Sequence, residues 1–86
     1  MIEKNITIVN NTGIHARPAS QLVKLISTFT SDVKIVSENK TANAKSIINI
    51  MSLGLIQGSV ITIRIDGEDE KAAMDALSNF MSNLKD

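Results

Sequence analysis

Gly13-Ile14-His15-Ala16-Arg17-Pro18-Ala19 is the stretch at which this chain changes from one kind of secondary structure to another. Upstream, Ile2, Ile6 and Ile8 share one side of an extended segment, with Glu3, Asn5 and Thr7 on the other. That period of two is the mark of a strand with one buried face, and Lys4 breaks it. Asn10-Asn11-Thr12-Gly13 is a turn signal. Downstream, Ala19, Leu22, Val23, Ile26 and Phe29 recur at helical spacing, which predicts a helix from Ala16 to about Phe29. Pro18 falls in the first turn of that helix, where its missing N–H has no intrahelical partner to lose.

His15, the single histidine, therefore stands at a helix N-terminus with Arg17 two residues on. First-turn amides point outward without partners, and the helix dipole favours an anion beside them. Imidazole accepts and releases a proton or a phosphoryl group near neutral pH. Composition alone leaves the plainer reading open, an incidental surface histidine.

Working outward, Val33, Ile35 and the stretch Lys40 to Asn43 read as two strands around a turn at Glu38-Asn39. Ser46 opens a second, short helix from Ile47 to Leu53, which Gly54 can close in a left-handed conformation. Within it Ile47, Ile48 and Met51 share one face, while Ile50 and Leu53 lie on another and are the core candidates. Gln57-Gly58-Ser59 is a turn. Ile61, Ile63 and Ile65 alternate with Thr62 and Arg64, the clearest strand in the chain. Asp66-Gly67-Glu68-Asp69-Glu70 leads into a final helix whose acidic start suits the dipole. Ala73, Leu77, Phe80 and Leu84 form its apolar stripe, with Met74 and Met81 beside it. The order is β-α-β-β-α-β-α. One-faced strands and one-striped helices imply an α+β fold of two layers, a sheet covered on one side.

Eighty-six residues make one small domain, residues 1–86, with no repeat or linker. There is no cysteine, so no disulfide framework and no thiolate metal site. Phe29 and Phe80 are the only aromatics, and both fall on core-facing helix positions, which leaves nothing for base stacking. Lys plus Arg equals Asp plus Glu at nine each, giving no net field toward nucleic acid or anionic membrane. No signal-peptide pattern precedes the first strand and no apolar run reaches a membrane span. The expectation is a soluble cytoplasmic domain with no cofactor.

Two separated motifs and the element order converge on one family. The run at residues 13–19 resembles the active-site signature of the histidine-containing phosphocarrier (HPr) family of the bacterial phosphoenolpyruvate-dependent sugar phosphotransferase system. Asn43-Ala44-Lys45-Ser46-Ile47, followed by Ile50-Met51-Ser52-Leu53-Gly54, resembles that family's regulatory serine region in low-GC Gram-positive bacteria. The resemblance spans the chain. It implies an open-faced two-layer sandwich, with a four-stranded antiparallel sheet of order 1-4-2-3 under three helices.

The resemblance also implies roles. His15 takes a phosphoryl group on Nδ1 from phospho-enzyme I and passes it to a sugar-specific enzyme IIA. As N-cap residue it sets that group against the amides of Ala16 and Arg17, while the Arg17 guanidinium stabilises charge built up in transfer. Gly13 and the small Ala16 are expected to leave room for a partner's histidine. Pro18 reads either as fixing these amides in place or as an ordinary helix-start proline. Ser46 reads as an N-cap and, by resemblance, as the target of an ATP-dependent HPr kinase/phosphorylase. Its phosphate would repel an acidic enzyme I and attract a catabolite control transcription factor. Ser20, Lys24, Ile47, Ile48 and Met51 are the implied docking surface of a carrier that is a monomer, contacts no nucleic acid directly and inserts in no membrane.

Two positions depart from the family pattern: Ile48 stands where methionine or phenylalanine is common, and Asn49 where glycine or lysine is frequent. Both concern partner preference rather than the histidine chemistry. A regulatory adaptor acting mainly through Ser46 is the alternative, although such paralogues lack the histidine kept here. A nitrogen-branch carrier or a module of a dihydroxyacetone kinase is a further reading, and these often lack the Ser46 context. An unrelated small α+β binding domain would require both motifs to be coincidence.

Overall fold

A computed structural model describes residues 1–84; the predicted domain's last two, Lys85 and Asp86, lie outside the described residues. Along the chain run β1 (Ile2–Thr7), α1 (Ala16–Ile26), β2 (Asp32–Ser37), β3 (Lys40–Asn43), α2 (Ile47–Met51), β4 (Val60–Asp66) and α3 (Glu70–Ser82). The strands form one antiparallel sheet in the order β1-β4-β2-β3. This is the element order and strand order expected.

The strongest alternating segment takes a central place. β4 sits between β1 and β2, with Ile65 opposite Ile2 on one side and Val33 on the other, and Ile63 opposite Ile35. Ile61, Ile63 and Ile65 are fully buried, as are Val33 and Ile35. Hydrophobic registry on one face fixes the pairing, since a one-residue slip would send every isoleucine to solvent. The other face is polar: the Arg64 guanidinium pairs with Glu3, Thr62 donates to Asn5 at 2.8 Å, and Lys34 lies 3.7 Å from Asp32. The helices cover the isoleucine face, and α1 packs against both α2 and α3.

Lys4 occupies a core-facing position of β1, and its amine reaches out of the interior to Ser78 Oγ on α3 at 3.1 Å. Its aliphatic stem serves as packing while the charge stays in water, which explains the break in alternation on this edge strand.

The helices end earlier than their apolar patterns predict. α1 stops at Ile26 rather than near Phe29, because Thr28 and Phe29 donate three residues back to Leu25 and Ile26 and so turn the chain. Phe29 still packs, half-buried, against the core. α2 stops at Met51 rather than Leu53, and Gly54 takes φ +64° as expected. In α3 the buried set is Ala73, Met74, Leu77 and Met81, whereas Phe80 and Leu84 are half-buried at the margin. Ala73 and Leu77 are buried as expected, and the buried face is turned toward Met74 and Met81 and away from Phe80 and Leu84. Flexible methionines fill the gap over the sheet, and the larger Phe80 is left at the rim.

Candidate phosphoryl-acceptor site

The loop before His15 is held from below. The Asn10 side-chain amide donates to the Gly13 carbonyl at 2.6 Å, and the Gly13 N–H returns to the Asn10 carbonyl at 3.2 Å. The Ile14 N–H donates to the Leu55 carbonyl at 3.1 Å, and the Ile14 side chain is buried. Gln57 donates to the Val9 carbonyl and to Asn11 Oδ1, at 3.2 and 2.9 Å. Nothing in the local spacing of the sequence links residue 13 to residue 55. The only local signal was the Asn-rich turn itself.

Gly13 does not leave room for a partner. It is buried, with φ +68°, and a Cβ there would press on the Leu55 carbonyl oxygen and come within 2.8 Å of Ile56 Cα. The space is filled by the chain's own 55–56 segment. Ala16, by contrast, is exposed and does leave open space at the helix start.

His15 is the N-cap of α1, with extended backbone and an exposed side chain that makes no capping bond of its own. Its carbonyl takes up the Ala19 N–H at 3.0 Å, which closes the first turn. The side chain is thus free while the backbone is committed. The amides of Ala16 and Arg17 head the helix, and Pro18, buried, has none. His15 and Arg17 open together onto a groove of about 550 Å³ between α1 and the C-terminal half of α3. Phe80 and Leu84, assigned to the core by spacing alone, form its far wall. An imidazole, a guanidinium and first-turn amides at one place suit transient binding of a phosphoryl group.

Ser46 is the N-cap of α2, and its hydroxyl accepts the Asn49 N–H at 3.3 Å. It is partly exposed. Beside it Ile47, Ile48 and Met51 are 37, 82 and 44% exposed, while Ile50 is fully buried and Leu53 is 8% exposed. That is the division the sequence pattern predicted. Lys45 is drawn back, its amine donating to the Phe29 carbonyl at 3.0 Å. Ser20 and Lys24 lie exposed on one face of α1, a helical turn apart. α1 thus carries His15 at its head with Arg17, Ser20 and Lys24 along it, and packs against α2 with its exposed Ile47, Ile48 and Met51.

A neutral total hides segregated charge. No carboxylate occurs between Glu3 and Asp32, or again between Glu38 and Asp66, so α1 and α2 carry none. Arg17, Lys24 and Lys45 fall within these stretches. The acids lie instead at the strands, the hairpin tip, the approach to α3 and within α3 at Glu70 and Asp75. The whole-chain balance of nine against nine therefore understates the local field at α1 and α2.

Among the described residues no group of side chains could hold a metal ion, and no helix is long and apolar enough to cross a membrane. A family model described as the PTS HPr component phosphorylation site matches residues 2–83. The phosphocarrier protein HPr of Buchnera aphidicola subsp. Acyrthosiphon pisum is 46% identical over 85 residues, covering 99% of this chain and all of that one. Among solved structures, HPr-C-His from Thermoanaerobacter tengcongensis superposes with a TM-score of 0.92 at 45% identity, covering 95% of this chain and 92% of that one. Crh of Bacillus subtilis, solved as a swapped dimer, superposes at 0.77 with 36% identity, covering 95 and 94%. With a dimer among the similar structures, likeness does not support the monomer expected from sequence.

Proposed function

Because this chain belongs to the HPr family of phosphotransferase-system phosphocarriers, we propose that His15 is its phosphoryl acceptor, loaded by phospho-enzyme I and unloaded onto an enzyme IIA. The observation that carries this reading is the exposed His15 side chain at the head of α1, sharing a groove with Arg17.

In the first transfer the bond between phosphorus and the enzyme I histidine breaks as a bond to His15 Nδ1 forms. The second transfer repeats this with His15 as the leaving group. The chain turns over no free substrate, so its task is to hold a phosphoramidate without trapping it. The charge spread over the three equatorial phosphoryl oxygens in each transition state is met by the Ala16 and Arg17 amides and the Arg17 guanidinium. The fixed backbone around Gly13 and Ile14 keeps those groups aimed. Ser20, Lys24, Ile47, Ile48 and Met51 form the docking surface, which suits brief contacts of modest affinity.

Ser46 is the regulatory site, modified by HPr kinase/phosphorylase with ATP. A phosphate on the N-cap lies at the positive end of α2 and leaves the fold in place. It instead puts about two negative charges onto a stretch of chain, residues 39–65, that carries no carboxylate. An acidic enzyme I is then repelled and a basic catabolite control factor attracted. All these groups lie on one chain, so a single copy suffices, working in the cytoplasm where phosphoenolpyruvate and ATP are at hand. A pure adaptor acting through Ser46 would leave the exposed His15 and its groove without a use.

Incubation with phosphoenolpyruvate and enzyme I, read by intact mass, tests the acceptor. One acid-labile phosphoryl group is expected, absent in His15→Ala; a label that survives that substitution overturns the assignment. With HPr kinase and ATP an acid-stable phosphate is expected, and its persistence in Ser46→Ala would remove Ser46.

A further inference from the structure

Phosphoryl transfer uses the groove between α1 and α3 only at its His15–Arg17 end, and its remaining walls have no part in that reading. We propose that this groove is a second contact surface, which receives an acidic segment of the phosphotransfer partner: a carboxylate facing Arg17 and an apolar side chain seated on Phe80 and Leu84. The proposal rests on His15 being the acceptor.

Three features support it. His15 and Arg17 themselves line the groove, so a partner whose histidine reaches His15 must overhang it. Among the described residues that line it there is no carboxylate, and Arg17 is accompanied by the side-chain amides of Gln21, Asn79 and Asn83. A negatively charged segment therefore meets attraction from Arg17 and side-chain hydrogen-bond donors. Beyond the amides, Leu25, Phe80 and Leu84 are only half-buried, and they offer apolar area that the fold does not use. The volume of about 550 Å³ takes a few side chains rather than a whole helix. Contact on both sides of α1 would fix the partner's rotation about His15, which in-line transfer requires.

The test is the initial rate of transfer from phospho-enzyme I as a function of the concentration of the full chain, giving KM and kcat separately. Asn79 is exposed, and its side chain can be changed without loss of packing. Asn79→Asp is expected to raise KM by about threefold or more at low ionic strength, and Asn79→Lys to lower it, with kcat within about twofold of wild type. Leu84→Ala should raise KM as well, with unchanged circular dichroism. The same two charges at Thr41, exposed on β3 of the open sheet face, should do nothing. KM values unmoved by both Asn79 variants, moved in the same direction by both, or matched by the Thr41 pair would overturn the proposal. A groove that takes only a small organic anion gives the first of these results. Failure of the wild-type chain to accept phosphate would overturn the reading of His15 and this inference with it.

Discussion

At Gly13 the backbone lies in the left-handed region and the position of a Cβ is already taken by the Leu55 carbonyl and Ile56. An L-residue held left-handed costs roughly 1–2 kcal/mol, and forcing an extra carbon into packed backbone adds about 1–3 kcal/mol. Gly13→Ala is therefore expected to lose about 2–5 kcal/mol of stability, read as a lower urea midpoint at unchanged m-value. A midpoint equal to wild type would show that segment 55–56 yields freely. At single residues, the positions of His15 and Ser46 at the heads of α1 and α2 were legible in the sequence. It was misleading at Gly13, where what matters is contact with a segment forty residues away, which no local pattern encodes.

A helix of five residues cannot hold itself in water, so α2 persists through Ile50 in the core and Ser46 at its cap. Ser46→Ala is expected to cost about 1 kcal/mol by denaturation. Ser46→Asp should retain most of that, because a carboxylate accepts the Asn49 N–H equally well and favours the dipole. Equal losses in both variants would mean that the cap contributes nothing. Helix starts were easier to read than helix ends. Ser46 sits where cap chemistry put it and His15 where the first-turn proline and the apolar spacing put the start of α1, whereas α1 and α2 finish early in turns whose bonds run three residues back and leave no compositional mark. In α3 the reading held at Ala73 and Leu77. Met74 and Met81, read as flanking the stripe, are buried while Phe80 and Leu84 lie half-buried at its margin, a rotation of the buried face that spacing alone does not resolve.

Over the whole molecule, one carboxylate joins the two connections at the far end of α1. Asp69, the N-cap residue of α3, gives its own helix no side-chain bond. It accepts instead from the Ser31 hydroxyl and from the Thr30 and Ser31 N–H groups, the last two at 2.8 and 2.9 Å. The Ser31 hydroxyl first, and the Thr30 N–H next, hold its pKa down at about 2 from an ordinary 3.8. Such a depressed carboxylate contributes stability that is present above the unfolded value and is lost as pH falls from about 4 to about 2. The urea midpoint should drop across that window in wild type, and Asp69→Asn should be less stable at neutral pH but flatter below pH 4. Parallel pH profiles for the two would refute the clamp. At this scale the element order and the buried face were legible from periodicity. The strand order followed from family resemblance, because no rule of local patterning says that β4 inserts between β1 and β2.

The open side of the sheet, with its Glu3–Arg64 and Asn5–Thr62 pairs, carries none of the groups assigned to phosphotransfer or its control. It is the natural handle of the molecule. A fluorophore, a surface tether or a fused domain attached through Thr41 would leave the working residues facing away from the graft. Sequence drift on that face should likewise be nearly free, provided the paired polar groups change together. The two-layer plan thus gives the chain a side for meeting partners and a side on which it can be held or altered.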